Sequence, residues 1–261
     1  MKNRLRFQDF LHKRPAPSGI DVLCKLQHFA IITYAVDPTR FEGLLPDRFK
    51  LDTVEISGTE KGLISVVPFV DVDFTSAVFP FPKFRMGQTN YRIYIVDTNT
   101  GERCVWFLGT TLDSWTLVVP RFLWNLPWYS GKVRFDCDID QQTGRYSSYR
   151  MATAANWAPA ELHLSQPAES GWKFDGFPDE ETALVFLTHP LAGFYHRRDG
   201  KLGTYRVWHE RLQVVPAKLE SASFGLLERS GIVSSEEQQY PHSVLLEQIN
   251  EFTIYLPPKV L

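Results

Sequence analysis

The chain has 261 residues, 44% of them hydrophobic and 22% charged, with a formal charge of −2 at pH 7. That balance excludes a disordered chain and offers no clustered basic face for a polyanion, so no nucleic-acid partner is expected. No run of roughly 18 apolar residues occurs, so no membrane span is expected, and the 14% of aromatic residues favours strands and pocket linings.

Residues 1–24 read as an N-terminal extension. The stretch MKNRLRFQDFLHKRPAPSG is basic, but Gln8 and Asp9 interrupt any apolar core of a signal peptide. Leu5, Phe7, Phe10 and Leu11 make it amphipathic up to a Pro/Gly break. The remainder, 25–261, reads as one domain. Strands are predicted over 25–36, 61–72, 90–98 and 104–113, where β-branched and aromatic residues concentrate. Between the first two, Asp37 as N-cap and Pro38 in the first turn predict a helix near 37–45, stopped by Pro46. A second helix is predicted near 114–124, started or kinked at Pro120.

Strands follow over 132–140 and 144–151, the first alternating cleanly between apolar Val133, Phe135, Cys137, Ile139 and polar Arg134, Asp136, Asp138. The segment 166–181 reads as a loop. Acids in the first turn and an apolar second half predict a helix near 179–187. Strands at 203–215 and 243–256 close the chain. Gly ends the turns at 98–101 and 141–144 and sits within the turn at 198–201, as hairpins needing positive φ require. The fold class is therefore mainly β: a large antiparallel sheet, closed or nearly closed into a barrel, with a few short helices. Its expected core includes Phe29, Ile31, Val66, Phe69, Ile93, Trp106, Leu108, Phe135 and Val207. Cys24, Cys104 and Cys137 form no CxxC and read as free thiols of a reducing cytoplasm.

Chemistry-bearing motifs are sparse. There is no HExxH, no GxSxG elbow and no phosphate-binding glycine loop, so neither a metal nor a cofactor is expected. One pattern is more informative. Gln88, Asn90 and Arg92 alternate along a strand and project to one side, while Tyr91, Ile93 and Ile95 project to the other. The polar row faces either water or the interior of a barrel, where it would orient a ligand.

The ordered segments HFAIITYAVDPTRFEGLLPDRFKLDT, GLISVVPFVDV, QTNYRIYIV and CVWFLGTTLD…VPRFLWNLPWYSGKVRF resemble the YqjF-like, or DUF2071, family. So do FLTHPLAGFYHRRDGKLGTYRVWHERLQVVPAKLE and PHSVLLEQINEFTIYLPP, which extends the match over roughly 25–258. That family is similar to the acetoacetate decarboxylases, and the resemblance implies a cone-shaped antiparallel barrel with an internal cavity. In the decarboxylases the matching stretch reads W-G-x-P-K-K, followed by a third lysine, and the first lysine forms a Schiff base. Here Pro127 matches the proline, Trp128 stands at the nucleophile position, Tyr129 stands beside it, and Lys132 matches only the third lysine. Indole and phenol form no imine. Where the family shows E-x-N-x-R, Gln88 replaces the acid, and Ala35 stands where an arginine is usual. The resemblance thus implies a cavity without Schiff-base chemistry.

Because the strand at 88–96 and the turn at 124–132 meet at the site of the resembled enzymes, Gln88, Asn90, Arg92, Arg121, Trp124 and Trp128 are expected to line one cavity. Arg92 would be its main charge, partnered by a ligand carboxylate, by Asp113 or by another acid of the chain. Tyr129 and Lys132 complete the candidate ligand-binding set. Three functions stay open. The first is binding of a small molecule such as a carboxylate or oxo-acid. The second is a lyase or other enzyme using different chemistry, with Arg92 or Arg121 as clamp and Tyr129 as acid. The third is a ligand-free structural protein, a homo-oligomer with aromatic interfaces.

Overall fold

The computed structural model describes residues 4–115, 118–167, 171 and 174–261. After a short helix α1 (Phe7–Phe10) come strands β1 (Val22–Val36), β2 (Phe49–Leu51), β3 (Val54–Ile56), β4 (Thr59–Ser76), β5 (Phe84–Asp97) and β6 (Arg103–Leu112). Helix α2 (Val118–Leu123) leads into β7 (Trp128–Ser130), β8 (Lys132–Ile139), β9 (Tyr146–Ala154) and β10 (Ala160–Ser165). Helix α3 (Glu180–Thr188) precedes β11 (Ala192–His196), β12 (Leu202–Trp208), β13 (Val215–Pro216) and β14 (Lys218–Phe224), and helix α4 (Gly225–Arg229) precedes β15 (Ser243–Val260).

The main sheet pairs in the order β5-β4-β1-β15-β12-β11-β6, and β6 pairs back onto β5, so the hydrogen-bonded strands form a ring. The ring is uneven. β1 and β15 share a long antiparallel register from Val22↔Ile254 to Thr33↔Ser243, whereas β11 meets β6 only from Gly193↔Val105 to Tyr195↔Phe107. That β6–β11 seam is parallel, as is β6–β7, and this corrects the expectation of an all-antiparallel sheet. Neither pair is joined by a hairpin, which is what would force antiparallel pairing. The three glycine turns do form hairpins, with Gly101, Gly144 and Gly200 at φ of 74°, 65° and 81°.

A second sheet, β14-β10-β9-β8, covers one outer face of the ring. The approach is close: a Cβ placed on Gly87 of β5 would lie 2.7 Å from Cβ of Val133 on β8. Tyr91, Ile93, Trp106, Tyr149, Met151 and Phe224 fill the space between the sheets. The interior holds a separate cluster including Phe29, Ile31, Val67, Phe69, Tyr94 and Val105, extended by Leu184–Leu187 of α3. Of the expected core, Phe29, Ile31, Val66, Phe69, Ile93 and Trp106 are buried, while Leu108, Phe135 and Val207 are half-buried.

The first expected helix is shorter, and the third lies within a residue of its expected bounds. The first is a 3-10 turn, Pro38–Phe41, with Asp37 accepting the Thr39 N–H at 3.0 Å. The second keeps Val118–Leu123, and the beginning expected at 114–117 includes Thr116 and Leu117, which lie outside the described residues, as does the Pro120 side chain. The third, α3, starts at Asp179, whose side chain accepts the Thr182 N–H at 2.8 Å. The loop expected over 166–181 includes 168–170 and 172–173, also outside the described residues. Arg6 donates to both Asp179 and Glu181, so the N-terminal segment is tied to the start of α3. No helix among the described residues is long and apolar enough to cross a membrane.

Candidate functional site

Alternation along β5 decides which residues see the barrel interior. Tyr91, Ile93 and Ile95 pack against the second sheet, so Gln88, Asn90 and Arg92 must point inward. They line a cavity of about 450 Å³ inside the ring. Exposed Ile20 and Trp115 mark its open end, with Phe74 and Phe84 beside them, and of the three polar residues Arg92 lies furthest along β5 from Phe84. The walls are apolar and aromatic: Phe29, Phe69, Phe107, Trp124, Trp128, Tyr205 and Phe252 contribute rings.

Trp124 and Trp128 reach this cavity because β7 runs alongside β6, with Thr110 opposite Trp128. Neighbouring residues of a strand point to opposite faces, which corrects the grouping of Tyr129 with them. Tyr129 faces away and stacks on Trp157 with ring centroids 4.0 Å apart, beside a separate hollow formed with Pro127, His196 and Arg197. Gly109 makes that stack possible, since a Cβ there would come within 2.7 Å of Trp157. Lys132 is also outside the cavity. The chain leaves the ring after β7, and Lys132 opens β8 in the second sheet with an exposed side chain. Arg121 sits half-buried on α2 and does not line the cavity. No lysine lines it among the described residues.

At the inner end Arg92 donates through Nη2 to the Leu187 carbonyl at 3.0 Å and to the Tyr94 hydroxyl at 3.4 Å. The Tyr94 hydroxyl donates to the same carbonyl, and Ser65 and Thr33 continue the chain of hydroxyls. Leu187 lies in the last turn of α3, so the guanidinium faces the negative end of the helix dipole. Its Nε is buried without a partner, and no carboxylate of the described residues lies within ion-pair distance. Asp113, the expected alternative partner, is exposed and accepts the Val133 N–H at 3.4 Å instead.

Nearer the open end stands a group that the sequence reading did not single out. Asp71 on β4 is 1% exposed and lines the cavity. Its Oδ2 accepts from the Gln88 amide, and Oδ1 has no hydrogen-bond partner, with the Cys24 thiol the other group facing the carboxyl. Burial raises the carboxyl to about 7, against the opposing pull of Gln88 and Cys24. Burial likewise pushes the Cys24 thiol well up. His209 lines the opposite wall. Burial lowers it to about 3, so it is neutral, and its Nδ1 donates to the Glu210 carbonyl at 2.7 Å. A lone acid within the apolar run VVPFVDV, in phase with Phe69, was the available signal for Asp71.

The family model of DUF2071, uncharacterized conserved proteins, matches residues 24–249. The chain belongs to this family. No curated protein matches it. Among solved structures this DUF2071 chain is similar to an acetoacetate decarboxylase-like enzyme from Sphingomonas wittichii RW1, with TM-score 0.57, 13% identity and 94% of each chain covered. It is similar also to acetoacetate decarboxylase from Legionella pneumophila subsp. pneumophila str. Philadelphia 1, with TM-score 0.55, 12% identity, and coverage of 97% of this chain and 94% of that one. A third is the enduracididine biosynthesis enzyme MppR complexed with the condensation product of pyruvate and imidazole 4-carboxaldehyde: TM-score 0.56, 9% identity, 94% and 90% covered. At such identities the likeness shows the fold, and this chain has an acetoacetate decarboxylase-like fold.

Proposed function

We propose that the barrel cavity of this DUF2071 protein receives a small organic carboxylate, such as an oxo-acid or aryl acid, and that Arg92 holds the carboxylate. The observation that carries this reading is the state of Arg92. A guanidinium keeps its proton and presents five N–H donors, of which one nitrogen here serves Leu187 and Tyr94 while Nε has no partner. In an apolar cavity a planar anion is the partner that would use the remaining fork. MppR, of the same fold, has been seen complexed with pyruvate, itself an oxo-acid. Binding here proceeds without an imine, because Trp128 occupies the wall where the decarboxylases carry lysine and no lysine of the described residues lines the cavity.

Two measurements test this. In calorimetric titrations with pyruvate and 3-phenylpropanoate, at least one should bind, and Arg92→Ala should weaken that binding on the order of 100-fold, as loss of a charge-assisted anchor does. Equal affinity in the variant would sink the reading. Borohydride reduction in the presence of pyruvate should leave the intact mass unchanged, and a stoichiometric adduct would overturn the imine-free part.

A further inference from the structure

We propose that Asp71, with Gln88 and the Cys24 thiol around it, is a second recognition point of the cavity, for a hydroxyl at the end of the ligand remote from its carboxylate. The bound molecule would then be a hydroxyaryl carboxylate, spanning from Arg92 to Asp71. This deepens the reading of Arg92 above and rests on it.

The geometry has three parts. The first is an unmet bond: Asp71 is 1% exposed, Oδ2 accepts from Gln88 and the Cys24 thiol faces the carboxyl, yet Oδ1 has no hydrogen-bond partner. Buried polar atoms are rarely left so, and a donor entering the cavity would complete the set. The second is separation. Asp71 on β4 stands opposite Met86, and its carboxyl meets the Gln88 amide, which lies four residues from Arg92 along β5, about 13 Å of extended strand. A benzene ring with a short carboxylated chain fills such a span once both side chains extend toward it. The third is the wall between them, where Phe69, Phe107, Trp124, Trp128 and Tyr205 offer ring faces to an aryl group.

The surroundings select a hydroxyl over an ammonium. Among the described residues, Gln88 from β5 and Cys24 from β1 meet the carboxyl directly, with the Tyr205 hydroxyl of β12 further off, and all three are neutral at pH 7. With the carboxyl raised to about 7, it can donate as well as accept, as a hydroxyl can. An ammonium would have to leave its own hydration for a largely apolar wall.

The test compares 3-(4-hydroxyphenyl)propanoate, 3-phenylpropanoate and 3-[4-(aminomethyl)phenyl]propanoate by calorimetry on the full chain at pH 7. The hydroxylated acid should bind about tenfold tighter than 3-phenylpropanoate, the return expected of one hydrogen bond to an otherwise unpartnered buried carboxyl oxygen. The preference should collapse in Asp71→Leu, the two acids then binding with about equal affinity. Equal affinity of the first two acids for the wild-type protein overturns the Asp71 subsite but leaves the Arg92 reading standing. Tightest binding by the amine overturns the choice of hydroxyl. Absence of binding by all three overturns the Asp71 subsite, and it overturns the Arg92 reading as well if pyruvate also fails to bind. These wild-type comparisons hold whether or not the Asp71→Leu variant folds.

Discussion

At the inner end of the cavity the charge is permanent and faces the last turn of α3. Toward the mouth the ionisable group is a carboxyl that faces an amide and a thiol. Arg92 cannot shed its proton to escape desolvation, so the fold supplies a helix C-terminus and a carbonyl to offset the cost. Asp71 has no cation beside it among the described residues and relieves the same cost by holding its proton to about pH 7. One end of the cavity is therefore indifferent to pH across the physiological range, and the other is not.

The largest effect should appear where that difference is erased at Asp71. Its folded-state pKa, about 7, lies above the ordinary 3.8. Between those values the folded protein holds a proton that the unfolded chain releases, so stability falls as pH rises through that window. The loss attributable to this group approaches about 4 kcal/mol above pH 7. Asp71→Asn removes it. The variant should gain on the wild type progressively from pH 5 to pH 8 in urea melts, and parallel stability curves over that range would refute the assignment.

Arg92→Met should behave differently. It removes the bond to Leu187 and leaves that carbonyl without its cation, for a loss of about 1.5–3 kcal/mol. Because the guanidinium does not titrate, the loss should be the same at pH 5 and pH 8. A loss that changes with pH would mean that Arg92 is coupled to a titrating neighbour, Asp71 or the His209 imidazole that Arg92 helps hold down, and the contrast between the two ends would fail.

How much of this was readable beforehand differs by feature. The hairpins were legible because Gly101, Gly144 and Gly200 mark positive φ, and the inward row was legible because Gln88, Asn90 and Arg92 alternate with apolar neighbours. The second sheet was not: the alternation of Val133 through Ile139 announces a half-buried strand without saying which layer covers it. Asp71 passed unnoticed because one acid does not disturb the apolar average of a strand that is buried on both faces. Tyr129 and Lys132 were misplaced for another reason. They were carried over by their spacing from Pro127, and motif spacing takes no account of the alternation of β7 or of the chain's exit into β8.

That misplacement yields the smallest effect and a clean local contrast, since Trp128 and Tyr129 are adjacent yet serve opposite faces of β7. Tyr129→Leu forfeits the stack on Trp157, worth about 0.5–1.5 kcal/mol beyond its buried area. Ligand affinity should stay within about twofold, because the lost ring is not part of the cavity wall. Trp128→Leu should cost a similar amount of stability, because its ring is only half-buried, but it widens the cavity between the two polar ends. Bulkier aryl carboxylates excluded by the wild type should then bind, while the smallest acids lose contact and weaken. Thermal melts and a titration series of aryl carboxylates graded by ring size, run on both variants, separate these outcomes. If Tyr129→Leu shifts the ligand range and Trp128→Leu does not, the two faces of β7 are assigned the wrong way round.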